Sequence, residues 1–133
     1  MELRIDNSCD QPVYLQIIDQ IKRDIALGRL KVADKLPTVR QLAAQIVINP
    51  NTIAKAYRQL ESQGIINTRP GAGAFVAQID SRLSLSIRKR NLCDQLERVI
   101  VEAVHMQIDA KTLIKWFSDL IKEYNLTTTD SGG

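Results

Sequence analysis

Residues 38–64, "TVRQLAAQIVINPNTIAKAYRQLESQG", constrain the fold more than any other part of the chain. Two helical patterns are written there with almost nothing between them. Thr38 with Gln41 three residues later spells a capping box, in which hydroxyl and amide satisfy each other's backbone donors. Val39, Leu42, Ala43 and Ile46 then fall at helical spacing and supply an apolar stripe. Asn49 is a good N-cap, Pro50 suits the first helical position, and Gly64 suits the stop, which predicts a second helix from Pro50 to about Gln63. Two short helices joined by so tight a turn predict a helix-turn-helix.

The period changes after Gly64. "IINTRPGAGAFVAQ" carries two β-prone runs, 65–68 and 74–77, around a Pro- and Gly-rich turn, which predicts a hairpin. A hairpin directly after a helix-turn-helix makes a winged helix. Upstream, Tyr14, Ile17, Ile18, Ile21 and Ile25 line one face of a further helix, with Pro12 at its first position and Gly28 at its end. Residues 1–10 read as a short arm, and "RLKVADKLP" reads as a plain connection.

The expected fold class is mainly α with a small β-hairpin: an N-terminal winged helix-turn-helix over residues 1–77 and a C-terminal antiparallel two-helix dimerisation unit over 91–126. Residues 78–90 are a linker or the start of a helix, and 127–133 are a disordered tail. In the C-terminal unit, Leu92, Leu96, Val99, Ala103 and Met106 form one apolar face, and Leu113, Trp116, Phe117 and Leu120 form another. One two-helix hairpin cannot cover both faces. A second copy of the chain is the economical cover, so these nine residues are the expected dimer interface.

The charge is local. Between residues 29 and 69 stand Arg29, Lys31, Lys35, Arg40, Lys55, Arg58 and Arg69 against only Asp34 and Glu61, while the chain from residue 78 onward is balanced. A positive middle is where a polyanion is met. On a helical wheel Ile53, Tyr57 and Leu60 share the inner side of the second short helix, and Asn51, Lys55 and Arg58 share the outer side. An amide, an ammonium and a guanidinium, with Thr52 beside them, match phosphate oxygens and purine edges in a major groove. The helix N-terminus adds unpaired N–H groups that favour a phosphate. Arg40 sits near the positive end of the preceding helix, a poor place for a cation unless an anion arrives. Arg69 opens the wing turn, and Gly71 and Gly73 permit either close backbone approach or simply a tight turn.

Other functions find little support. Cys9, Cys93 and His105 make no metal-binding spacing, and two reduced thiols are expected. No P-loop, nucleophile elbow or other catalytic constellation occurs, so neither an enzyme nor a cofactor is expected. No apolar run reaches the length of a membrane span, and the N-terminus lacks the apolar segment of a signal peptide, which predicts a cytoplasmic protein. A winged helix serving only as a protein-binding surface is the alternative, and it predicts no loss of affinity with salt.

The run from Gln11 to Val76 resembles the winged-helix domain of the GntR family of bacterial transcription regulators. The resemblance is carried by "LPTVRQLA", "NPNTIAKAY", "LESQGII" and "RPGAGAFV" together. The short C-terminal helical pair looks like the YtrA subfamily. The resemblance implies a homodimer, usually a repressor, on a two-fold symmetric operator in double-stranded DNA; a small-molecule effector is an open partner class. With the wheel it designates Thr38, Arg40, Asn49, Asn51, Thr52, Lys55, Arg58, Arg69 and Gly71 as the DNA-binding set. Many members carry arginines where this chain has Pro50 and Ala54. A glycine common in the turn is replaced by Val47, which disfavours positive φ and predicts a turn wound differently. The common Pro-Gly before "DKLP" is Val32-Ala33.

Overall fold

The computed structural model describes residues 1–78, 85–124 and Leu126. Its elements are α1 (Val13–Ala26), α2 (Val39–Ile46), α3 (Pro50–Ser62), β1 (Ile66–Arg69), β2 (Gly73–Val76), α4 (Leu85–His105) and α5 (Ala110–Glu123). The chain divides into two units, Met1–Asp80 and Ser81–Gly133.

In the first unit α3 is the hub, and α1, α2 and β1 all pack on it. The reason is in its sequence: Ile53, Ala56 and Leu60 are fully buried and Tyr57 nearly so, on one side of a helix whose other side is polar. Burying each of the large side chains contributes roughly 1.5–3 kcal/mol. Ile17, Ile18 and Ile21 from α1, Leu36, Leu42 and Ala43, and Ile66, Ala74 and Val76 from the hairpin complete the core. The Tyr57 hydroxyl donates to the carbonyl of Pro37 at 2.8 Å, tying α3 to the segment before α2. Burial pushes the Tyr57 hydroxyl pKa upward.

The helix boundaries follow their caps. Thr38 accepts from the Gln41 amide at 3.1 Å while Gln41 Oε1 accepts from the Thr38 amide at 2.9 Å, the reciprocal box expected. Pro12 is the N-cap of α1 rather than its first helical residue, because its ψ of 148° is extended. Between α2 and α3, Val47 takes the left-handed region at φ 54°, ψ 53°. The turn is therefore wound as a glycine would wind it, contrary to the expectation from its β-branched side chain. The winding lets the Ile48 amide reach the Ala43 carbonyl at 3.0 Å, and the Val47 side chain escapes clashes by standing 86% exposed.

Two segments are more ordered than expected. The arm packs on α1: Leu3 is buried, and the buried Gln16 amide accepts from the Asp6 amide at 2.9 Å and donates to the carbonyls of Asp6 and Gln11. The connection before α2 adds a third edge to the hairpin. Ala33 N–H donates to the Val76 carbonyl and Val76 N–H donates to the Asp34 carbonyl, each at 2.9 Å, Leu36 N–H donates to the Ala74 carbonyl at 2.9 Å, and Lys35 bridges Phe75. The hairpin itself pairs Ile66 with Val76 and Arg69 with Gly73, antiparallel.

In the second unit, α4 absorbs residues 85–90 of the expected linker; residues 79–84, and the tail expected over 127–133, lie outside the described residues. The turn after α4 passes through Gln107 at φ 58°, and Asp109 caps α5 by accepting from the Thr112 amide at 2.8 Å. Within one chain the expected antiparallel pair closes no core. Ala103 is buried, but Leu92, Leu96, Val99, Met106, Trp116, Phe117 and Leu120 are all exposed, and α5 has no buried residue. Leu113 is half-buried.

Candidate nucleic-acid interface

The site is built on α3, the N-terminus of α2 and the hairpin tip, all within the first unit. Asn51, Lys55 and Arg58 are exposed, on the side of α3 opposite the buried Ile53, Tyr57 and Leu60, as the wheel requires. Thr52, Ala54 and Gln59 flank them half-buried. Asn49 is exposed, but its Oδ1 accepts from the Asn51 amide at 2.8 Å, so its oxygen caps the helix. Capping leaves the Asn49 side chain holding the N-terminus in shape, next to the N–H groups that attract an anion.

Arg40 is exposed in the first turn of α2, where no acidic residue offsets it. Thr38, one residue outside that helix, is exposed too, with its hydroxyl engaged in the capping box. The two acids of the basic segment are turned to other work. Asp34 accepts from the Lys31 amide at 2.8 Å, and Glu61 accepts from the Thr68 hydroxyl on β1. Among the described residues no ion pair involves Arg40, Lys55, Arg58 or Arg69. The positive field of this face is therefore uncompensated, the condition for attracting a polyanion.

Two cations of the set are not loose. Lys55 Nζ lies 3.9 Å from the centroid of the Tyr14 ring, and the Arg69 guanidinium lies 4.6 Å from that of Phe75. Neither aromatic partner is evident from sequence. Tyr14 reads there as one more residue of an apolar helix face, and Phe75 as a strand residue. At the wing tip the Ala72 amide closes a turn onto the Arg69 carbonyl at 2.9 Å, and Gly71 sits at φ 76°. A side chain at Gly71 would meet nothing within 4 Å, so the turn conformation alone accounts for this glycine. Gly73 differs: a Cβ there would come within 3.1 Å of the Lys35 side chain, which brings a further lysine to the wing.

The profile of the family described as "Bacterial regulatory proteins, gntR family" matches residues 13–76, which hold the whole of this site. The HTH-type transcriptional repressor YtrA of Bacillus subtilis is 35% identical over 118 residues, 89% of this chain and 91% of that protein. Among solved structures, a transcriptional antiterminator from Listeria monocytogenes superposes with a TM-score of 0.83 at 28% identity, covering 93% of this chain and 92% of the other. The DNA-binding domain of AraR, solved in complex with operator ORX1, superposes with a TM-score of 0.52 at 31% identity, covering 58% of this chain and 96% of that domain.

Proposed function

The chain belongs to the GntR family of bacterial regulatory proteins and is a DNA-binding transcription regulator of YtrA type, and we propose that it works as a homodimeric repressor on a two-fold symmetric operator. In this reading α3 enters the major groove with Asn51, Thr52, Lys55 and Arg58 toward the duplex. Arg40 neutralises a phosphate beside the α2 N-terminus, with Thr38 next to it. Asn49 holds the α3 N-terminus open toward a second phosphate. The wing, from Arg69 to Gly71, follows the backbone or the adjacent minor groove. The protein acts in the cytoplasm, where bacterial operators lie.

One observation carries the assignment: an exposed polar stripe of Asn51, Lys55 and Arg58 stands on a helix whose back is fixed by Ile53, Tyr57 and Leu60. A base-reading helix must be rigid behind and hydrogen-bonding in front, and α3 has both properties. The DNA-binding domain of AraR, a relative in fold and sequence, was solved on an operator, which supports DNA binding by the matching domain here. The name of the Bacillus relative supports repression. The homodimer is supported by the open apolar faces of α4 and α5; Trp116 and Phe117 belong to that interface in this reading.

The test is the salt dependence of binding to an operator selected from a random duplex pool. The logarithm of the association constant falls linearly with log salt, and Arg40→Ala or Arg58→Ala each lowers the slope by about 0.9 if it removes a phosphate contact. Binding that ignores salt, or that survives both substitutions, refutes the reading.

A further inference from the structure

The chain has six aromatic residues, Trp 1, Tyr 3 and Phe 2. Two of them lie under cations of the candidate interface: Tyr14 under Lys55 and Phe75 under Arg69. Both rings are half-buried: Tyr14 packs against the core as well as lying under Lys55, whereas Phe75 is not among the residues that pack there. Tyr14 also belongs to α1, an element with no residue in the DNA-facing set. We propose that Tyr14 is a positioning residue for DNA binding, an aromatic platform that holds the Lys55 ammonium at a fixed place for a backbone phosphate. The inference rests on the reading that the outer face of α3 meets the duplex.

A ring face attracts a cation through its quadrupole, and 3.9 Å to the centroid is well inside the effective range. An exposed lysine otherwise samples many rotamers and must surrender them on contact, which weakens binding. Held by the ring, Lys55 surrenders them on folding instead. The ammonium has three N–H donors and the ring face occupies one direction, so the others stay available to phosphate oxygens. A lysine is a compact point charge rather than a planar fork, so a fixed ammonium suits phosphate positioning better than base reading. Tyr14 thus contributes affinity with no sequence preference of its own. Arg69 on Phe75 repeats the arrangement on the wing.

A double-mutant cycle on the full chain tests this, using a fluorescein-labelled duplex of mixed sequence and fluorescence anisotropy over a salt series. Circular dichroism establishes that each variant is folded. Tyr14→Leu is expected to weaken binding about three- to tenfold, the range for losing one pre-ordered side chain, with the salt slope unchanged because the charge remains. Tyr14→Phe keeps the ring and behaves as wild type. Lys55→Met weakens binding and lowers the slope by about 0.9, and in that background Tyr14→Leu has no further effect. If Tyr14→Leu costs as much without Lys55 as with it, its role is structural and the proposal is overturned. Equal losses in Tyr14→Phe and Tyr14→Leu overturn it too, in favour of a hydroxyl contact. Should Lys55→Met change neither affinity nor slope while Arg58→Ala changes both, Lys55 touches no phosphate and the platform falls while the docking of α3 stands. If neither substitution has an effect, the docking itself is wrong.

Discussion

Val47 is a strained residue whose reason is plain. A β-branched side chain in the left-handed region costs on the order of 1–2 kcal/mol, yet the helix-turn-helix needs that conformation for the Ile48 amide to cap α2. Val47→Gly is therefore expected to raise stability by about 1 kcal/mol in urea unfolding, net of the flexibility glycine adds to the unfolded chain. Since Val47 is exposed and outside the DNA-facing set, operator affinity should not change. A loss of stability would mean that the side chain packs usefully somewhere. Ile53, Tyr57 and Leu60 were legible as core because helical periodicity is a local rule. The ring under Lys55 was not, because Tyr14 lies on another helix and nothing local to α3 announces it.

Among the elements, α2 is short enough that its cap matters. Thr38→Ala removes the hydroxyl half of the capping box and should cost about 1 kcal/mol by thermal unfolding. It should also weaken DNA binding, because the same first turn presents Arg40. Unchanged stability would show that the box is redundant. In α5 the Asp109 carboxylate is held below its ordinary value by hydrogen bonds from the Thr112 side chain and amide. A depressed folded pKa means the cap is fully present above the ordinary value of about 3.9. It is lost as pH falls through the lower, folded value. The Thr112 amide shift should titrate with a midpoint below about 3.9 in NMR spectra, and not at all in Asp109→Ala. A midpoint at or above the ordinary value would contradict the cap. Caps and helices could be read from sequence because their signals span three or four residues. The third edge at residues 33–36 could not: "RLKVADKLP" has no strand pattern, and only β2 alongside gives its amides partners.

Taken as a molecule, the chain leaves the apolar faces of α4 and α5 open. Leu92, Leu96, Val99, Ile100, Val104 and Met106 on and after α4, and Ile114, Trp116, Phe117 and Leu120 on α5, are all exposed. Clustered exposed apolar side chains of this kind mark interaction surfaces. Sedimentation at micromolar concentration should give a dimer, and Leu96→Asp with Trp116→Asp should give a monomer whose winged-helix circular dichroism persists. That monomer should bind a two-fold operator far more weakly, since each half-site is then held alone. A wild-type monomer, or a double variant that stays dimeric, would move the interface elsewhere.

The order of helices and hairpin, the buried side of α3 and its polar front follow from the amino-acid sequence alone, because period, caps and turn residues act over a few neighbours. What tertiary structure decided lies between elements: the arm strapped to α1 by Gln16, the third strand edge against β2, the left-handed turn at Val47 and the rings beneath Lys55 and Arg69. The strap, the strand edge and the ring beneath Lys55 depend on groups distant in the chain meeting in space, and no local pattern encodes where a distant partner will be; the turn at Val47 is closed locally but against its own residue's preference, and Arg69 meets Phe75 only through the hairpin register.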